Sequence, residues 1–186
     1  MNIAVDIDDT LTDSFDYFLP FVAEFFGEDE EELRQKNISY STLPAEWKPR
    51  EIDFFKAYYD RTVIDTPFKP DAADGIKELR KRGHRIIIIT GRTNEFYKDP
   101  YKTTEAELEK GGIIYDKLIC TLDKKAACVS ENISVLIDDI EANCKAAQSV
   151  GVRAILFESK GNKGQKTDFC RVKNWKEVLE EIHKYE

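Results

Sequence analysis

Residues 85–90 read RIIIIT. Four successive isoleucines leave no polar face, so a strand built from them must be covered on both sides. That run restricts the fold to a layered one, with a mostly parallel sheet between two layers of helices. The flanking sequence agrees. Residues 72–82 have helical spacing and stop at Gly83. Further apolar runs at 2–7, 116–120, 134–137 and 153–157 read as strands. Helical stretches separate them: one with Thr104 and Glu107 as a capping box and a stop at Gly111 and Gly112, then 124–131 and 141–150, with 175–185 closing the chain. Strands alternating with helices predict an α/β fold with a doubly wound parallel sheet.

One long segment departs from this rhythm. Between the first strand and the helix before RIIIIT lies a stretch rich in aromatic and acidic residues. Phe15, Phe18, Leu19, Val22 and Phe26 recur at helical spacing, and Pro20 within them should kink or interrupt that helix. A short acidic helix is expected over 30–36. Another should start near Pro49, with Ile52, Phe55 and Tyr59 on one side. The expected division is a core of residues 1–13 and 75–186, with residues 14–74 as a small helical cap inserted after the first strand.

In sheets of this kind ligands bind outside the carboxyl ends of the strands. The first strand ends in Asp6, Asp8 and Asp9, and RIIIIT ends in Thr90, Gly91 and Arg92. The strand at 134–137 ends in Asp138 and Asp139, and Lys124 and Lys125 open the helix that feeds it. At roughly 4 Å and an effective dielectric near 20, each pair of like charges costs about 4 kcal/mol. Carboxylates gathered at one point therefore call for a hard cation with oxygen ligands, and Mg²⁺ suits a site that also receives phosphate. The chemistry that fits is attack by a carboxylate on phosphorus, with a second carboxylate handling the proton of the leaving oxygen and then of water. Taken singly these residues have plainer readings. Asp138 and Asp139 precede a helix and could cap it, Asp9 could cap the next element of the chain, and either lysine could belong to a solvated face.

The set DIDDT at 6–10, IIIIT ending at Thr90, a lysine before the last acid pair, and LIDD ending at Asp139 resembles the four motifs of the haloacid dehalogenase superfamily of phosphatases. TGR at 90–92, DPYKTT at 99–104, YDKLI at 115–119 and NWKEVLEEI at 174–182 resemble the cytosolic 5′(3′)-deoxyribonucleotidase-like branch. The resemblance implies Asp6 as nucleophile and Asp8 as acid/base. It implies Thr90, Gly91 and one lysine, Lys124 in preference to Lys125, as phosphate-binding. Asp6, the backbone carbonyl of Asp8, Asp138 and nearby Asp139 are the implied Mg²⁺ ligands. Arg92, Phe15 and Phe18 are assigned to the substrate, with a surface charge as the alternative for Arg92. Phe15 and Phe18, with Phe54 and Tyr58 of the cap and Phe96, Tyr97 and Tyr101 after Arg92, are read as a stacking surface for a base, with a plain apolar core as the alternative for the cap aromatics. The loop 158–166, ESKGNKGQK, reads as flexible; it lacks the spacing of a phosphate cradle.

A net charge of −8 argues against a nucleic-acid polymer or an anionic membrane as partner and leaves a small phosphate ester. The residues carry no signature of an oligomeric state. Four cysteines without C-x-x-C spacing read as free thiols buried as small apolar residues, and no apolar run approaches membrane length; the expected setting is the cytoplasm. The function expected is a Mg²⁺-dependent phosphomonoesterase, first on (deoxy)nucleoside monophosphates and alternatively on another small ester such as a sugar phosphate. A receiver-like signalling domain shares the acid pair, Thr and Lys, but would carry its lysine after the threonine and its phosphorylated aspartate in mid-chain.

Overall fold

The computed structural model describes residues 1–36, 38 and 43–186, with Asp60 and Arg61 described in backbone only. Six parallel strands form one sheet: β1 (Asn2–Val5), β2 (Arg85–Thr90), β3 (Lys117–Cys120), β4 (Val135–Asp138), β5 (Arg153–Phe157) and β6 (Cys170–Val172). Their order is β3-β2-β1-β4-β5-β6. The chain therefore builds outward from β1 in one direction, then returns and builds in the other. A crevice opens at that reversal, above the carboxyl ends of β1 and β4. Val5 is in register with both Ile88 and Ile137, which brings the residues following all three strands to one edge.

RIIIIT behaves as its composition requires. Ile86 and Ile88 pack on one face with Ile76 and Leu79 of α4 (Ala72–Lys81), Leu108 of α5 (Pro100–Lys110) and Trp175, Val178 and Ile182 of α8 (Trp175–His183). Ile87 and Ile89 pack on the other with Ala127 and Cys128 of α6 (Lys124–Ser130) and Ala147 of α7 (Glu141–Gln148). All four isoleucines are wholly buried, each contributing about 1.5–3 kcal/mol relative to exposure. β6 was not expected from the sequence; it is three residues long, too short for a periodicity to show.

After β1 come α1 (Ser14–Phe26), α2 (Glu30–Gln35) and α3 (Glu51–Thr62), the last preceded by a 3-10 turn at Lys48–Arg50 that holds Pro49. These helices share a second apolar cluster, with Phe15, Phe18, Leu33, Trp47, Phe54 and Tyr59 at its centre. Pro20 does not end α1; it lies exposed inside an unbroken helix whose buried stripe carries the chain past it. Gly27, at φ 75°, turns the chain out of that helix. Among the described side chains of α3 the buried ones are Phe54 and Tyr59, and Ile52 is exposed rather than aligned with them.

The expected capping box does not form. α5 starts at Pro100, and Asp99 caps it by accepting from Lys102 N at 3.1 Å. An aspartate followed by proline supplies both the cap and a preset first φ. That leaves Thr104 and Glu107 in the buried interior of the helix. The cysteines are free as expected, but only Cys128 and Cys144 are buried, while Cys120 and Cys170 are half-buried. Among the described residues no helix is long and apolar enough to cross a membrane.

α8 is locked to the turn after β1. Trp175 is fully buried, donates Nε1–H to the Thr10 carbonyl at 3.3 Å, and lies so close to Gly75 that a Cβ there would stand 2.7 Å from Trp175 Cε3. Gly75→Ala should therefore push on Trp175 and lower stability by about 1–3 kcal/mol; denaturant melts of the two proteins check this.

Candidate active site

The turn after β1 folds around one carbonyl. Ile7 O accepts from the backbone N–H of Thr10, Leu11 and Thr12 at 3.1, 2.8 and 3.1 Å, and from Thr12 Oγ1 at 3.1 Å. Asp9 takes the left-handed conformation, φ 57°, which aspartate tolerates better than most residues. Its carboxylate accepts from Phe15 N at 3.1 Å and so caps α1, as the plain reading of that residue allowed. Asp6 and Asp8, two residues apart, both line the crevice.

Lys124 is the hinge of the charge arrangement. It is buried, and its Nζ lies 2.7 Å from Asp6 Oδ1 and 2.7 Å from Asp138 Oδ2. Lys125, one residue on, faces solvent, and of the two lysines it is Lys124 that reaches the acids. Asp138 is wholly buried and fully engaged: Oδ1 accepts from Ile140 N at 2.8 Å, and Asn143 Nδ2 reaches Oδ1 and Oδ2 at 3.0 and 3.1 Å. Ligand oxygens of Asp6, Asp138 and Asp139 lie within 4.8 Å of one another.

These contacts set the protonation of the site. Burial is the largest influence on Asp6 and pushes its carboxyl up to about 7; Lys124 opposes it, while Asp138 and Asp8 add to it. Asp139 is pushed well above the usual carboxylate range by burial, then by Asp9, Asp138 and Asp6. Burial acts on Asp8 too, but Arg92 and Ser14 outweigh it and hold that carboxyl below its ordinary value. One crevice thus holds a carboxyl biased toward its proton and another biased against it.

The substrate assignments change. Arg92 is only 2% exposed and is committed to protein partners. Its Nε and Nη2 donate to Asp8 at 3.1 and 2.9 Å, and Nη1 and Nη2 donate to Glu107. Two carboxylates saturate its fork, so it holds Asp8 rather than an incoming ligand. Phe15 and Phe18 are buried in the cluster of α1–α3, Phe18 stacked on Tyr59 with centroids 4.1 Å apart; their apolar-core alternative is the one found. The aromatic wall of the crevice is instead Phe55, Tyr59, Phe96 and Tyr97, around a cavity of about 310 Å³ that Gly91 also lines. Thr90 Oγ1 is buried beside Gly91 and meets no hydrogen-bond partner among the described residues.

Three supporting residues escaped the sequence reading. Ser14 donates Oγ–H to Asp8 Oδ1 at 2.7 Å. Asn143 lies five residues beyond Asp138, a spacing that the start of α7 turns into contact. Asn162 sits in the loop expected to be flexible, yet it is buried and its Nδ2 donates to the carbonyls of Asp139 and Phe157 at 2.8 and 2.7 Å. That loop is pinned and braces Asp139.

The fold and this cluster of acids around a buried lysine define a phosphatase of the haloacid dehalogenase class. The profile of the family described as "5′ nucleotidase, deoxy (Pyrimidine), cytosolic type C protein" matches residues 1–185, and the chain belongs to that family of phosphoric monoester hydrolases. It is 24% identical over 180 residues to a protein of Halalkalibacterium halodurans with a provisional nucleotidase name, covering 94% of this chain and 88% of that one. Among solved structures it is similar to a predicted phosphatase from Clostridium acetobutylicum, at TM-score 0.69, 17% identity and 98% of each chain. It is also similar to the D,D-heptose 1,7-bisphosphate phosphatase of B. bronchiseptica, which was crystallised with magnesium and phosphate, at TM-score 0.56, 11% identity and 100% of each chain.

A pH dependence of stability arises from the raised carboxyls. Asp6, Asp9 and Glu107 each rise to about 7, against ordinary values of 3.8 for Asp and 4.5 for Glu, burial being the main cause in all three. Between those limits the folded protein binds more protons than the unfolded chain, so stability falls as pH rises. Asp8, shifted the other way, loses its contribution only below its ordinary value, outside this window. In EDTA, Tm should fall from pH 5 to pH 7; thermal melts in which it rises over that interval would contradict the assignment.

Proposed function

We propose that this protein hydrolyses (deoxy)nucleoside 5′-monophosphates through an aspartyl-phosphate on Asp6, with Mg²⁺ as cofactor. The observation that carries this is the convergence of Asp6, Asp138, Asp139 and Lys124 beneath an aromatic-walled cavity. Three carboxylates with oxygens so close, compensated by a single shared lysine, are a donor set for a hard divalent ion. Asp6, Asp138, Asp139 and the backbone carbonyl of Asp8 would hold Mg²⁺. Once bound, it would offset the negative charge shared by phosphate and carboxylates.

In the first step an Asp6 carboxylate oxygen attacks phosphorus and the bond to the leaving oxygen breaks. The proton that Asp6 sheds on becoming the nucleophile passes to Asp8, whose carboxylate Arg92 and Ser14 otherwise keep ionised, and Asp8 delivers it to that oxygen as it departs. In the second step water attacks phosphorus, Asp8 takes its proton, and the bond between phosphorus and Asp6 breaks to release phosphate. Lys124 would neutralise charge on the transferring group, and its oxygens would take the backbone of Gly91, which lines the cavity, and the buried Thr90 hydroxyl, which meets no partner among the described residues. In this reading residues 14–74 act as a cap over the core of 1–13 and 75–186. The rings of Phe55, Tyr59, Phe96 and Tyr97 would select a flat base, and four free thiols support a reducing, cytoplasmic setting as part of this reading.

Two outcomes are expected. Asp6→Asn should lower phosphate release by at least about 10³-fold without loss of Tm, and EDTA should silence the wild type until Mg²⁺ is restored; a phosphate-release assay with both treatments decides this. Phe96→Ala should lower kcat/KM for deoxynucleotides by about tenfold and leave that for acetyl phosphate, which has no ring to stack, unchanged. If sugar phosphates outrank every nucleotide in the same panel, the nucleotide assignment is wrong.

A further inference from the structure

Glu107 is a wholly buried acid that the two-step scheme leaves unused. It lies in the interior of α5, wholly buried, next to Leu108 of the apolar core. Its oxygens take two guanidinium nitrogens of Arg92, Nη1 at Oε2 and Nη2 at Oε1, the latter at 3.2 Å. The same guanidinium presents Nε and Nη2 to the two oxygens of Asp8. Ser14 adds a third donor at Asp8, on the Oδ1 that also takes Nη2, and its Oγ lies 2.6 Å from Thr12 Oγ1, which donates in turn to the Ile7 carbonyl. Asp8 is thus held by Arg92 and Ser14 together, and Glu107 anchors Arg92.

Stability alone does not account for such a network. Desolvating a guanidinium and two carboxylates is expensive, and well-packed apolar side chains in their place are often as stable or more so. The fork is also specific to arginine, whose planar donors can serve two carboxylates at fixed angles, as an ammonium cannot.

We infer that Glu107 is a positioning residue: through Arg92 it fixes the orientation of the Asp8 carboxylate for proton transfer. This rests on the reading of Asp8 as acid/base under the proposed function. Arg92 is thereby an internal strut, occupied on both edges.

The test compares wild type, Glu107→Gln, Arg92→Lys, Asp8→Asn and the Asp8→Asn/Glu107→Gln double variant in the Mg²⁺-loaded protein, with folding checked by circular dichroism. Substrates are a deoxynucleotide and acetyl phosphate. Glu107→Gln should keep KM within about twofold and lose kcat by about tenfold to hundredfold. Rapid-quench trapping should find phosphoenzyme accumulating as the second step slows. In the Asp8→Asn background the same change should cost no more than about twofold, because its route of action is already gone. A folded Glu107→Gln with wild-type kcat overturns the inference, as does an equal loss with and without Asp8. If Glu107→Gln does not fold, Arg92→Lys decides by the same measures: a folded protein with wild-type kcat overturns it. A wild type that releases phosphate from none of these substrates removes the role of Asp8 itself, and the inference falls with that reading.

Discussion

The contact on which this site depends is Lys124 between Asp6 and Asp138. Two acids at neighbouring strand ends repel, and in a buried setting the repulsion grows as the dielectric falls. A single ammonium at 2.7 Å from each lets β1 and β4 lie side by side with their acids turned to the same crevice. The lysine arrives from the first turn of α6, the helix that leads into β4, so the fold delivers acid and counter-ion by adjacent elements. Removing that charge would leave uncompensated carboxylates in a place with little water to screen them.

Around this contact the scaffold is stiff where chemistry needs aim. The Ile7 carbonyl gathers three backbone donors and one hydroxyl, which fixes the path between Asp6 and Asp8. Trp175 reaches in from α8 to hold the same turn at Thr10. Asn143 orients Asp138, and Asn162 holds the backbone of Asp139. The carboxylates of Asp6, Asp8 and Asp138 each have a cation, a hydroxyl or a neutral amide setting their direction. Such arrangements lower the cost of reorganisation when charge develops.

The sheet was legible because its signal is local and repeated. RIIIIT, the acids at strand ends and the alternation of strand with helix need no long-range information. The acid cluster was legible for the same reason, since each member terminates an apolar run. What the sequence hid were contacts made across the fold. Glu107 has the spacing of a capping box with Thr104, and only the stronger cap at Asp99–Pro100 shows that both lie mid-helix. Arg92 comes directly after the phosphate motif and looks substrate-facing until its two carboxylate partners, one 84 and one 15 residues distant in sequence, are seen. The loop 158–166 has the composition of a mobile segment, yet one buried asparagine ties it down.

The aromatic residues make the same point about division of labour. Phe18 and Tyr59 stack in parallel inside the helical layer, and Tyr59 also forms part of the crevice wall. Tyr59 meets Tyr97 edge-on at 5.6 Å, and Tyr97 in turn lies 5.9 Å from the Arg92 guanidinium that grips Asp8. Packing in the helical layer is therefore continuous with the residues that hold Asp8. A change at Tyr59 alters the crevice wall and the stability of the layer together, because the ring that lines the one is stacked on Phe18 in the other. Phe55, edge-on to Tyr59 at 4.5 Å, is part of that coupling, and the half-buried Phe96 joins it through Phe55 at 4.9 Å.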